Sequence, residues 1–372
     1  MDSSFIYTKH TTTIPHHITH LTFSDDIDEV VDIPDTVTHL VFGRYYDSPT
    51  NYLPPSIIDL TFGYYYNQYT NDLPDSIKHL TFGYSYQKPI KRLPANLESL
   101  TFGTFFNQII DHFPSSLTSL TFGNYYNTEI THLPSHLVSL NLGKSYNYPI
   151  KNLPKSIKHL TCAAHSEIFE IDELPPHLIS LTLPGFYNGP INNLPSTITH
   201  LTFGNGYNFD QAITLPSYLT HVVFGDHFNQ PIILPPYLTH VVFGKKFNQP
   251  IILPQHLTHV VFGDHFNQAI ILPPYITHLT FGRSYDQAIT LPLYITHLTF
   301  RRSYNQPIIL SPYITHLTCD YMFGVYDYMD QLIDNFNLVD VAPSVAIPPL
   351  YEHICKNKHN IRIKCMSLLE YL

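Results

Sequence analysis

FGDHFNQPIILPPYLTHVVFGKKFNQPIILP, from Phe224 to Pro254, says nearly the same thing twice. FNQPIILP starts at Phe228 and returns at Phe247, nineteen residues later. Outward from this stretch, the template L-P-x-x-[LI]-T-H-L-x-F-G-x-x-[FY]-N-Q-x-I-x covers most of the chain. Its proline recurs at Pro15, Pro34, Pro54, Pro74, Pro94, Pro114, Pro134, Pro154, Pro175, Pro195, Pro216, Pro235, Pro254, Pro273 and Pro292, and Ser311 holds that place in a sixteenth copy. The period is about twenty residues at first and nineteen from Pro216 onward. Two copies are irregular: Cys162–Glu173 lacks the aromatic-Asn pair, and Asn208–Thr214 carries an extra residue. Repetition at a fixed short period is the mark of a solenoid, in which each coil buries its apolar face against its neighbours.

Numbering the repeat from the Leu before Pro as position 0, the apolar positions are 0, 4, 7, 9, 13 and 17, as in Leu234, Leu238, Val241, Phe243, Phe247 and Ile251. Alternation with period two across positions 5–9 predicts a short strand with one buried face. The same strand in every copy makes the ladder parallel, which requires a return path. About fourteen residues remain for that return, too few for a three-turn helix and two corners, and Pro at positions 1 and often 16 opposes helix further. The expected fold is a leucine-rich-repeat-like solenoid: a parallel β ladder on the concave face, an extended or 3₁₀ convex side, and little helix outside a C-terminal cap. The expected domains are an N-terminal cap at 1–13, a solenoid of about sixteen repeats at 14–320, and a partly helical cap at 321–372. Gly at position 10 is read as a sharp-turn residue. Asn at position 14, as in Asn107, Asn127, Asn229, Asn248 and Asn267, is read as an inner-corner ladder serving neighbouring backbone.

The short motif LPSHLVSLNLG (Leu133–Gly143) resembles the leucine-rich repeats, and FGDHFNQPI, FGKKFNQPI and FGDHFNQAI are closer still to the FNIP repeats. That family is known from dictyostelid amoebae and from giant viruses that infect amoebae. The resemblance spans about residues 14–319 and implies a solenoid with a role in protein–protein contact. Some relatives place an F-box before the repeats and so resemble substrate adaptors of ubiquitin ligases. Here the repeats begin near Ile14, which leaves the ligase role to depend on docking by 321–372. The resemblance carries no catalytic residues.

Composition excludes several classes. The net charge of −10 opposes a phosphate-binding surface, so no nucleic-acid partner is expected. No apolar stretch is long enough to span a bilayer, and MDSSFIYTKHTTT has no signal-peptide core. Four cysteines without framework spacing fit a reducing, cytoplasmic setting, which is the host cytoplasm for a viral member. His16, His17 and His20, and His353, Cys355, His359 and Cys365, lack ordinary zinc-site spacing, so neither metal nor other cofactor is expected. No Walker loop, H-E-x-x-H or G-x-S-x-G occurs. The expected function is therefore non-enzymatic: a scaffold holding a partner protein.

Two surfaces are candidates for that contact. Position 6 is His at His20, His39, His79, His159, His200, His221, His240, His259, His278, His297 and His316. Position 8 is Val at Val223, Val242 and Val261 beside three of them, a part-apolar patch of the kind that marks partner sites. Val also suits any strand, and duplication copies it. The second candidate is the turn after the strand, with Tyr45, Tyr64, Tyr65, Tyr84, Phe105 and Tyr125 in early copies and Lys245, Lys246, Arg283, Arg301 and Arg302 in late ones. Rim aromatics serve as anchors, or else shield the edge of the core. A glycan-binding module using rim Tyr and His is the remaining alternative.

Overall fold

The computed structural model describes residues 3–320 and 362–366, apart from 12, 150–151, 163–173, 190, 192, 205–208, 302, 303, 305, 307, 310 and 312. The chain divides into two compact units, Met1–Tyr187 and Asn188–Leu372.

In the first unit the strands are β1 (Ser4–Tyr7), β2 (His20–Phe23), β3 (His39–Val41), β4 (Asp59–Thr61), β5 (His79–Thr81), β6 (Ser99–Thr101), β7 (Ser119–Thr121), β8 (Ser139–Leu142), β9 (His159–Cys162) and β10 (Ser180–Leu183). Within this unit each pairs in parallel with the next, equivalent positions in register, as in Leu60 on Leu80 and Leu80 on Leu100. β1 lies ahead of the first repeat and extends the ladder by pairing with β2. The second unit repeats the plan with β11 (His200–Phe203), β12 (His221–Val223), β13 (His240–Val242), β14 (His259–Val261), β15 (His278–Phe281), β16 (His297–Phe300) and β17 (His316–Asp320). A last strand, β18 (Arg362–Met366), pairs in parallel with β17. The helices expected in the C-terminal cap fall on residues outside those described.

One coil is a strand, two turns and an extended return. In the coil of β13, Leu238 N–H donates to Pro235 O at 3.2 Å and Phe247 N–H to Gly244 O at 3.4 Å, closing four-residue turns on either side of the strand. Pro235 supplies only its carbonyl there, so its missing N–H costs nothing. No helix of any kind occurs among the described residues, so the convex side is extended rather than 3₁₀.

Positions 4, 7, 9 and 13 form the core: Leu238, Val241, Phe243 and Phe247 are all buried. Burying one such side chain is worth about 1.5–3 kcal/mol. The rings stack both within a coil (Phe243 on Phe247, centroids 4.2 Å apart) and along the axis (Phe247 on Phe266, 6.1 Å). Position 17 departs from the expectation. Ile90, Ile191 and Ile308 are buried there, but Ile232, Ile251 and Ile270 are only half-buried, on the long open return.

Gly at position 10 is needed for a different reason from the one read in sequence. None of the stacked glycines takes a left-handed φ. A Cβ on Gly103 would lie 1.8 Å from Gly83 O, and one on Gly263 would lie 2.0 Å from Gly244 O. Stacked backbone, not turn geometry, excludes a side chain.

The Asn ladder is present. Asn127 Oδ1 accepts the N–H of Asn147 at 2.9 Å, and Asn248 Oδ1 accepts that of Asn267 at 2.9 Å. Asp47 and Asp210 do the same for Asn67 and Asn229, because only the acceptor oxygen is required. The following Gln joins in: Gln268 Nε2 donates to Asn248 Oδ1 at 3.1 Å. The ladder runs along a part-exposed edge rather than a buried inner corner.

Candidate functional site

Strand alternation puts positions 6 and 8 on the face opposite the core. In the second unit this face carries an unbroken column of imidazoles: His200, His221, His240, His259, His278, His297 and His316, each stacked on the next with centroids 4.1–4.3 Å apart. Phe at position 9 repeats at 5.3–5.6 Å and Phe at position 13 at 6.1 Å. The spacing narrows toward the histidines, so within this unit the strand face is concave.

A second column holds the first. Thr220 Oγ1 lies 3.1 Å from Thr199 O and 2.8 Å from His221 Nδ1. The pattern repeats for Thr239 with His240, Thr258 with His259, Thr277 with His278, Thr296 with His297 and Thr315 with His316. A hydroxyl has one hydrogen. Both contacts are hydrogen bonds only if the hydroxyl donates to the carbonyl and imidazole Nδ1–H donates to the hydroxyl oxygen. This fixes the neutral tautomer and leaves Nε2 as a bare lone pair.

Burial first, and then neighbouring imidazoles, hold His221, His240, His259, His278 and His297 below the ordinary histidine range, His259 at about 4. Beside them Val223, Val242 and Val261 are in register and half-buried, so the expected His–Val face is assembled within one unit.

The first unit interrupts this column: position 6 is Ser99, Ser119, Ser139 and Ser180 in four coils, and in one coil it is an acid that sequence reasoning passed over. Its first four coils run His20, His39, Asp59, His79. Asp59 Oδ2 accepts from His39 Nε2 at 2.9 Å, and its Oδ1 lies 4.0 Å from His79 Nε2. A carboxylate thus sits in the column between two imidazoles. Its signal was available: an acid replacing His at the repeat's most regular polar position.

The expected aromatic rim lies in this first unit as well. Tyr64 stacks on Tyr84 at 4.4 Å and packs edge-on against Tyr65 at 4.7 Å, and Tyr84 packs edge-on against Phe105 at 4.8 Å. Tyr64 and Tyr65 are exposed, Tyr84 and Phe105 half-buried, and the Arg44 guanidinium stands 5.1 Å from the Tyr64 ring. In the second unit the basic turn residues are partly neutralised: Lys245 pairs with Asp226 at 2.8 Å, and Arg283 lies 3.9 Å from Asp264.

Sequence reasoning also missed a row on the return side. Ile233, Ile252 and Ile271 are about 90% exposed, at position 18 of successive coils. The adjoining Tyr218, Tyr237, Tyr275, Tyr294 and Tyr313 are exposed too. The apolar run I-I-L does not reveal which of its members faces out.

No group of three His, Cys, Asp or Glu residues able to hold a metal occurs among the described residues, which include His16, His17 and His20. The set His353, Cys355, His359 and Cys365 lies outside the described side chains. A cavity of about 230 Å³ beside Leu140, Leu142 and Tyr146 includes His132 but no carboxylate in its lining. No helix among the described residues is long and apolar enough to cross a membrane.

The FNIP repeat model matches residues 29–65, 66–105, 106–145, 126–162, 207–246, 228–265 and 266–300, more than half of the chain. The chain belongs to the FNIP-repeat family. Among solved structures, this FNIP chain is similar to CroV588, a circular LRR protein, at 32% identity and a TM-score of 0.63. That match covers 88% of this chain and 62% of CroV588, so the chain spans less than two thirds of that protein's length. YopM from Yersinia enterocolitica WA-314 shares the fold at 20% identity and a TM-score of 0.54, over 86% of this chain and 82% of YopM. The comparison with curated proteins gave no match. The chain is thus an LRR-like repeat scaffold, a fold typically used for protein–protein interaction, and its repeat architecture and LRR-like neighbours favour a non-enzymatic role.

Proposed function

We propose that the chain is a non-enzymatic scaffold that holds a partner protein on its strand face and rim, in the cytoplasm, or in the host cytoplasm for a viral chain. Residues 1–13 and 321–372 act as end caps of the 14–320 solenoid in this reading. The observation that carries it is the His–Val face of β12–β14. Two registered columns, one of half-exposed imidazoles and one of half-exposed valines, make a concave, uncharged, part-apolar surface. The central partner contacts are His221, Val223, His240, Val242, His259 and Val261.

The test compares affinity capture by the parent and by a Val223→Glu, Val242→Glu, Val261→Glu variant. These side chains are only half-buried, so the variant is expected to stay folded and lose its partners. Val241→Lys, at a fully buried position, is expected to unfold its coil, since an unpaired charge in the core is costly. Equal capture by parent and Val triple would remove the reading. Poor folding of the triple would mean that position 8 serves the core.

The stacked aromatics Tyr64, Tyr65, Tyr84 and Phe105 favour a second reading for the first unit, a glycan-binding rim. A glycan array without binding would dismiss it. The ubiquitin-ligase adaptor reading rests on 321–372, and pulldown with and without that segment separates it from the scaffold reading.

A further inference from the structure

We infer that the histidine column of the second unit is a carboxylate-binding face, which takes an acidic peptide segment in extended conformation and takes up protons as it does so. The inference rests on the scaffold reading and deepens it by naming the partner's chemistry.

The first unit supplies the precedent. Where an acid enters the column at Asp59, its carboxylate engages the Nε2 of His39 at 2.9 Å and approaches that of His79 at 4.0 Å. The second unit has seven consecutive histidines and no acid among them. Each inner imidazole has Nδ1 tied to a Thr hydroxyl and, among the described residues, no partner for Nε2, so the atom that meets Asp59 in the first unit is open to a ligand in the second.

The protonation follows from the tautomer. A carboxylate only accepts. With Nδ1–H already engaged, an Nε2 that donates to a carboxylate must gain a second proton, so each pair forms by taking one proton from solution. The groups acting on this column are the histidines themselves: His200, His221, His240, His278, His297 and His316 around the central His259. On β11–β17 position 8 adds only Thr and Val; at the end of the column β18 sets Arg362 in register with His316 and Lys364 with Thr318; and in the following turns Asp226 faces Lys245 and Asp264 faces Arg283, with Lys246 and Arg301 as further cations.

Geometry selects a chain over a single anion. Neighbouring rings stand 4.1–4.3 Å apart. An extended peptide lying along the column presents same-face side chains about every 6.6–6.8 Å. Each carboxylate then reaches one or two rungs, as Asp59 does, and several held on one chain reinforce one another.

The experiment measures fluorescence anisotropy of a labelled oligo-aspartate peptide with the full chain at pH 7.5 and 6.0, folding being checked by circular dichroism. Oligo-asparagine and a single-stranded DNA oligonucleotide of equal charge serve as controls. The expected result is oligo-aspartate binding that tightens about tenfold or more toward pH 6.0, up to tenfold per pH unit for each coupled proton. A variant with His221, His240, His259 and His278 changed to Asn should lose both the binding and its pH dependence. If that variant folds poorly, the double variant His240→Asn, His278→Asn should show a reduced pH slope. Absent binding, pH-independent binding, unchanged binding by the folded variants, or equal binding of oligo-asparagine or DNA would each overturn the inference. The scaffold reading survives any of these if the Val triple still loses captured proteins.

Discussion

Gly263 has no room for a methyl group, because its Cβ would sit 2.0 Å from the carbonyl oxygen of Gly244. Relief requires two coils to separate locally, and overpacking of this kind costs about 1–3 kcal/mol. Gly263→Ala and Gly103→Ala should therefore both lower the urea midpoint, although Ala is ordinarily the milder residue for backbone freedom. An unchanged midpoint would show that the stack yields freely. The Asn ladder allows a finer test. Asn248→Ala strips the acceptor from Asn267 N–H and Gln268 Nε2, a loss of about 0.5–1.5 kcal/mol. Asn248→Asp should cost much less, since Asp47 and Asp210 already serve that place. Equal losses would mean that the amide group, not the acceptor oxygen, is what the ladder needs. At this scale the sequence was readable for Asn, which recurs at a position with no strand ladder to serve it. It misled for Gly, because a need for space and a need for unusual φ leave the same letter. Asp59 was harder to read, because His fills position 6 in eleven copies and a single acid among them looks like drift.

At the scale of the strand, the histidine column makes folding depend on pH. In the folded chain His221, His240, His259, His278 and His297 are held below the ordinary value, first by burial and then by one another. The expectation from sequence rested on mutual repulsion. The structure puts burial ahead of it, because Thr and Val crowd each ring while its neighbours stand only 4.1–4.3 Å away. With folded values depressed, the unfolded chain binds more protons as pH falls below about 6.5, so stability rises with pH. It is complete above that value and drains away toward about 4, where His259 titrates. Urea midpoints at pH 7.5 and 5.5 should differ clearly in the parent and much less with His221, His240, His259 and His278 changed to Asn. Equal sensitivity would assign the effect to other groups. The strand's faces were legible because H-L-T-F in the commoner T-H-L-T-F alternates with period two, which fixes the phase for T-H-V-V-F as well. The return segment was less so: I-I-L at Ile232–Leu234 has no alternation, and its middle residue proved exposed while its last is buried.

At the scale of the whole molecule, equivalent positions of successive coils meet in register. β12 meets β13 through His221 on His240, and β13 meets β14 through His240 on His259. Within each unit the described coils offer their successors nearly the surface that they received from their predecessors, which is why the period alone disclosed the fold. What the period does not disclose is where function lies, since duplication gives each coil the same letters. Only departures such as Asp59, or Val in place of Thr at position 8, distinguish one coil from another. The same logic predicts the outcome of deletion. Removing Leu234–Ile252 joins Ile233 to Leu253, restores the order of positions, and brings His221 opposite His259. Stability in a stacked array is a sum of coil and nearest-neighbour terms, so this chain should stay folded, one coil shorter and slightly less stable. Removing only Leu234–Phe243 deletes Leu238, Val241 and Phe243 from a core they share with the coils on both sides. That chain should lose ladder signal in circular dichroism and become sensitive to limited proteolysis near the junction. Equal behaviour of the two deletions would mean that the nineteen-residue period is a relic of duplication and not the unit of folding.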